Sequence, residues 1–260
     1  MIDLSISAQE LEYFLLVFVR IATFVFVAPF FSTSGIPNQV KIGLSIFVAY
    51  ILYAFYGPHV YPEYTTVFGY AMIVLKEVAV GLLLGEGTQL CTTIVLFAGR
   101  IIDMEIGISM GSVFDPTTNQ EASMTGMFFQ YGSLIILYTT GLHRYLLKAL
   151  AESYTLIPVA AAKFNVDSLL ETVITFLTDY IVIGFRICLP VFASITLMNI
   201  ILGLLAKLAP QMNMFSVGIQ LKLLCGFAVL VLTIGMLPNI CDFITVEIKK
   251  MMVSIVEAMI

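Results

Sequence analysis

Long apolar runs separated by short polar breaks set the expected elements of this chain. The first run covers residues 11–31; Arg20 interrupts it, and Pro29 and the turn-forming residues 32–37 close it. The second, residues 42–56, stops at Gly57-Pro58 and is short for a bilayer crossing, which takes about 20 residues. The third, residues 66–98, carries only Lys76, Glu77 and Glu86 as charges. At about 1.5 Å per residue it predicts a helix of roughly 50 Å, against a hydrocarbon core of roughly 30 Å. A polar, glycine-bearing stretch occupies residues 99–123, and a fourth run covers residues 124–142. An amphipathic connector over residues 143–171 breaks at Pro158. The fifth run, residues 172–206, is expected to bend near Gly184 and Pro190. A polar tip over residues 207–222 leads to a last run, 223–237, after which Pro238 kinks the chain before a helical tail. The pattern predicts an all-α fold of about six membrane-type helices, several of the wrong length for simple spanning.

Composition agrees. Hydrophobic residues make up 60% of 260 positions and charged residues 11%, and the mean hydropathy is +1.03. Soluble domains carry roughly 25% charge. A net charge of −5 without a basic patch excludes nucleic acid as a partner. Cys91, Cys188, Cys225 and Cys241 form no CxxC pair and read as small hydrophobes, so no metal and no cofactor is expected. The start is acidic (Asp3, Glu10, Glu12) and lacks the basic region of a cleavable signal peptide. His59 and His143 stand far apart, no HExxH, GxSxG or phosphate-binding glycine loop occurs, and Asp103 and Asp115 fit no protease motif, so no enzyme is expected. A six-crossing topology puts Lys41, Arg100, Lys207 and Lys222 on one side, and Arg144, Lys148, Lys163, Lys249 and Lys250 on the other. That split fails the positive-inside rule. Re-entrant segments, or helices seated in a protein assembly, would explain the failure.

Polar groups inside apolar runs are where function is expected, because an unpaired charge in hydrocarbon is expensive. Arg20 and Arg186 sit mid-run; Glu77, Glu86 and Asp179 are the possible partners, and the sequence does not choose among them. Glu77, Gly81 and Gly85 share one helix face. The small residues there admit a close backbone, from a partner subunit or from this chain. Arg100 and Asp103 are three apart and can pair on a helix, either as a solvated pair that contributes little or as one that fixes the loop that follows. That loop, residues 107–119, combines Gly107, Gly111 and the turn-forming Asp115-Pro116 with Ile108, Met110, Val113 and Phe114. It is more apolar than an ordinary connector is expected to be; a loop of this kind can seal a pore by apolar contact, and a surface connector is the alternative.

Four blocks in order then resemble one family. They are Arg20 with Pro29, Ile36-Pro37 and Lys41; Gly99-Arg-Ile-Ile-Asp103 followed by Gly107 and Phe114-Asp-Pro116; Gly141-Leu-His143 with Ser153-Tyr154 and Ile157-Pro158; and the run from Ala209 through Pro210, Gln211 and Asn213 to Gly218, with Leu221-Lys222. The chain resembles the FliR/SctT family, export-gate subunits of bacterial flagellar and type III secretion systems. Arg100 departs from the Gln usual in the family. The second and third blocks look more flagellar than virulence-type. The resemblance implies a FliP-like half over residues 1–170 and a FliQ-like hairpin over 171–260, its tip marked by Lys207, Pro210, Gln211, Asn213 and Lys222. It also implies a helical ring with FliP-like and FliQ-like subunits, a FlhB-like switch subunit nearby, and unfolded export substrates passing through. The place would be the bacterial inner membrane, in the flagellar basal body. In the family, the loop matching residues 107–119 helps close the channel as a plug. A rival reading is a small secondary transporter with Arg20, Glu77, Glu86 and Arg186 as an ion relay, although no inverted repeat accompanies it.

Overall fold

The computed structural model describes residues 8–33, 35–55, 61–62, 64, 66–109, 123–211 and 213–260. Among them every regular element is a helix: α1 (Ala8–Val27), α2 (Asn38–Phe55), α3 (Val67–Ile106), α4 (Met124–Thr139), α5 (Leu142–Leu156), α6 (Val166–Leu208), α7 (Met214–Thr233), a 3-10 turn (Ile234–Met236) and α8 (Leu237–Glu257). Four stretches are long and apolar enough to cross a membrane: α2, α3, α6 and Phe215–Glu257.

Several boundaries move outward from the apolar runs, for local reasons. Helix α2 recruits residues 38–41 as its first turn, where the Pro37 carbonyl accepts from the Val40 and Lys41 amides at 3.0 and 3.4 Å. Its 18 residues are then enough to cross. Helix α3 runs through 99–106 because Ile102, Asp103 and Ile106 continue a buried stripe at helical spacing. Its 40 residues make a rod of about 60 Å. The connector after Gly141 folds as amphipathic α5 and stops just short of Pro158. Gly141 itself has φ 83°, which a residue with a Cβ rarely adopts. Helix α6 continues through Gly184 and Pro190 for 43 residues, and Pro238 falls in the first turn of α8, where a missing N–H is tolerated.

The chain divides into two compact units. The first comprises Met1–Cys91, Gly141–Phe176 and Val246–Ile260. Its core holds Leu16, Ile21, Phe24, Val80, Leu84 and Leu150. Here α1 lies backbone-close on the Gly81 face of α3: a Cβ on Gly81 would overlap the Arg20 carbonyl and the Thr23 hydroxyl. At Gly85 it would approach Val27 Cβ to 3.1 Å. The small-residue face that could have received a partner subunit is therefore filled by this chain's own first helix. The chain's end closes the unit, since the Met259 and Ala258 carbonyls accept from the Lys163 and Asn165 amides at 3.0 and 3.1 Å.

Gly81→Val is expected to lower stability by at least the roughly 1–3 kcal/mol of ordinary overpacking, because backbone atoms cannot yield to the new methyl groups. Gly43→Val is the control, as nothing lies within 4 Å of the Cβ position at Gly43. The midpoint of thermal aggregation in detergent measures both, and equal midpoints would refute the close crossing.

The second unit comprises Thr92–Thr140 and Leu177–Thr245. Its core holds Ile94, Ala98, Ile102, Ile106, Leu137 and Ile195. Glycines again set the approach. A Cβ on Gly99 would overlap Gly126 Cα and N, so α3 and α4 cross backbone to backbone there. Gly226 of α7 accommodates Ile106, and Gly184 of α6 accommodates the Phe97 ring. The Phe97 ring also meets Tyr180 and Phe185, with centroids 5.3 and 6.3 Å away.

Candidate functional site

Two polar constructions stand out, one in each unit. In the first, Arg20 and Glu77 are both fully buried. Arg20 Nε donates to Glu77 Oε2 at 2.5 Å, and Nη2 to Oε1 at 3.1 Å. A planar guanidinium and a carboxylate are matched for this two-pronged contact. Backbone groups join the pair. Arg20 Nη1 donates to the Ile157 carbonyl at 3.0 Å, and the Ala160 amide donates to Glu77 Oε1 at 2.9 Å. Tyr154 lays its ring 4.3 Å from the guanidinium carbon and donates its hydroxyl to the Val17 carbonyl at 2.9 Å. Burial holds the Tyr154 hydroxyl well above the usual phenol range, partly opposed by Arg20, so it remains a neutral donor. Ala160 adopts φ 69°, a conformation worth roughly 1–3 kcal/mol of strain. That strained backbone aims its N–H at the carboxylate. The cluster ties α1, α3 and the segment after α5 into one lock.

The second construction surrounds Asp103, 3% exposed. Its Oδ2 accepts from the Ser123 hydroxyl at 2.7 Å and the Thr125 amide at 3.2 Å. Ser123 in turn caps α4, accepting from the Gly126 amide at 2.8 Å. A carboxylate here complements the positive end of α4. The Asp103 main-chain carbonyl accepts from the Gly107 amide at 3.1 Å, where Gly107 (φ 95°) ends α3. One residue thus secures both ends of the stretch between α3 and α4.

The structure brings together Arg20, Glu77, Gly81 and Gly85, and separately Asp103 with the start of α4. Glu77 is the Arg20 partner that the sequence left open. Glu86, Arg100 and Arg186 are exposed on this chain, so the burial expected for them does not arise within it. Arg100 does not supply Asp103's partner; Ser123 and Thr125 do. Of the apolar loop, Gly107 and Ile108 are described, whereas Met110, Gly111, Val113, Phe114, Asp115 and Pro116 lie outside the described residues. At the polar tip, Lys207 lies in the last turn of α6, and Pro210, Gln211 and Asn213 are exposed between α6 and α7. Lys222 sits on α7 itself, half-buried. Lys41 is an unexpected buried cation at 7% exposure, with its Nζ 5.8 Å from the Phe26 ring centroid. Tyr154, Ile157 and Ala160 were not legible as partners of Arg20, although Tyr154 and Ile157 belong to the third sequence block. No group of His, Cys, Asp and Glu suited to a metal occurs among the described residues.

These features define a helical membrane protein whose fully buried Arg20 and Glu77 neutralise each other, while broad apolar faces remain uncovered. Residues 11–248 match the bacterial export proteins, family 1, and the chain belongs to that family, the FliR/SctT family. It is similar to the flagellar biosynthetic protein FliR of Bacillus subtilis (strain 168), 30% identical over 226 residues, with 86% of each chain covered. FliR of Pectobacterium carotovorum subsp. carotovorum is 25% identical over 92% of this chain and 90% of its own. FliR of Escherichia coli (strain K12) is 23% identical over 96% of each.

Proposed function

We propose that the chain is a subunit of the export gate of a bacterial flagellar type III secretion apparatus, completing a channel for unfolded proteins in the inner membrane at the basal body. The observation that carries this reading is the family match across residues 11–248, joined by relatives named flagellar biosynthetic protein FliR over nearly their full lengths. In this reading residues 1–170 act as a FliP-like half and 171–260 as a FliQ-like hairpin. FliP-like and FliQ-like subunits and a FlhB-like switch subunit cover the faces left apolar here. Exposed Phe47, Tyr50 and Phe55 on α2, and Phe185, Leu189 and Phe192 on α6, support such covering. The loop at 107–119 closes the channel by apolar contact, and Asp103 bonds Gly107 at its start and Ser123 and Thr125 beyond it. The work is mechanical and not catalytic, with energy supplied by other subunits or the proton motive force. The ion-relay alternative fits less well: the Arg20–Glu77 pair is closed by its own partners, and Glu86 is exposed.

Removing the chain from its own bacterium should abolish flagella and the export of flagellar proteins, and restoring it should recover both. Flagella that persist without it would overturn the assignment.

A further inference from the structure

Helix α3 carries a second stripe on the side away from its core. Glu77, Val80 and Leu84 mark the buried face. On the far side stand Phe68, Met72, Leu75, Ala79, Leu82 and Glu86, at steps of four, three, four, three and four residues. Steps that alternate in this way average 3.5 residues, the repeat of a seam between two helices. Phe68, Met72, Leu75 and Leu82 are between 45 and 76% exposed, so this chain leaves the seam open.

Glu86 ends the seam with a charge. It is exposed, and among the described residues no hydrogen bond or ion pair engages its side chain. The nearest exposed charges on α3 are Lys76 and Arg100, which bracket a stretch of about 36 Å, a little more than the hydrocarbon core of roughly 30 Å. Glu86 lies about 15 Å inside that stretch from Lys76 and about 21 Å from Arg100, too deep for a short side chain to reach either edge. Lipid would suit the apolar residues but reject a carboxylate at this depth. Water would suit the carboxylate but leave four large apolar side chains wet. A second copy of α3 laid seam to seam brings no cation to Glu86, since Lys76 lies about 80° round the helix from it. A foreign helix, apolar along its own seam and with one Lys or Arg opposite Glu86, satisfies both kinds of group. A single charged position in an otherwise apolar seam also fixes register, because a slip strands it.

We propose that the seam from Phe68 to Glu86 docks a helix of a different, neighbouring subunit, whose Lys or Arg pairs with Glu86 and sets the register. The inference rests on the export-gate reading, which supplies the neighbours, and it names the chemistry one of them must carry.

Photo-crosslinking from p-benzoylphenylalanine placed at position 72 or 82, in the complex co-purified with its FliP-like and FliQ-like neighbours, tests it. Both positions should label the same helix of one neighbour. Glu86→Leu should cut recovery of the chain in that complex at least about ten-fold, because it strands the opposing base. The same variant should leave the thermal midpoint of the isolated chain unchanged, and Glu86→Asp should retain part of the recovery. Replacing the Lys or Arg of the labelled helix by Leu should restore recovery of the Glu86→Leu chain. Labelling of lipid alone or of a second copy of this chain would overturn the proposal, as would undiminished recovery of Glu86→Leu or a midpoint that falls with it. A wild-type chain that joins no neighbour would overturn the export-gate reading and this inference together, whereas a wild-type complex without seam labelling overturns the inference alone.

Discussion

Glu77→Ala is expected to remove a large share of the protein's stability. It leaves Arg20 fully buried without a counter-charge and the Ala160 amide without an acceptor. Breaking a buried pair from one side typically costs about 3–5 kcal/mol, against a total stability of about 5–15 kcal/mol for a folded domain. Arg20→Met should do comparable damage by stranding the carboxylate. The double variant Arg20→Met/Glu77→Leu should recover much of the loss, since two apolar groups of similar size need no partner. Glu77→Gln should fall between, because an amide oxygen can still accept from Ala160 but carries no charge. Folded yield and thermal midpoint in detergent rank the four variants. A double variant worse than both single ones would show that the pair itself, and not its broken halves, holds the lock.

The second large effect is expected from the loop. Deleting residues 108–114 should raise ion conductance of the assembled complex several-fold while leaving assembly intact. Apolar constrictions close by excluding water, a weak barrier per contact that a threading chain can displace. The anchor predicts a milder companion. Asp103→Ala removes the acceptor of Ser123 and Thr125, a loss of about 1–2 kcal/mol at the start of α4. It should therefore produce intermittent leakage smaller than that of the deletion. Single-channel recording in planar bilayers distinguishes the two. A deleted loop with unchanged conductance in an assembled complex would remove the plug from the account.

Much of the helical framework was legible because long apolar runs leave the backbone few alternatives to hydrogen-bonding itself. Boundaries were less legible. Residues 99–106 read as polar, yet Ile102, Asp103 and Ile106 form one buried stripe, and the Gly99–Gly126 approach needs a helix on both sides. The Arg20 lock was half visible: a mid-run arginine demands a partner, and three acids were available. The choice of Glu77 depends on the glycine face that seats α1, and the Ala160 amide depends on a left-handed backbone that no residue type announces. Asp103 was legible as an anchor, but its partners come from Ser123 and Thr125, on the far side of the loop, a pairing that local spacing does not reveal.

The central claim is that the greasy faces left open on this chain belong against sister subunits around a conduit. The native mass of the chain extracted in mild detergent, after co-expression with its FliP-like and FliQ-like neighbours, tests that claim most directly. The account predicts a single stable hetero-oligomer that contains the chain together with both neighbours. A lone, lipid-coated polypeptide that leaves those neighbours in separate peaks would contradict it.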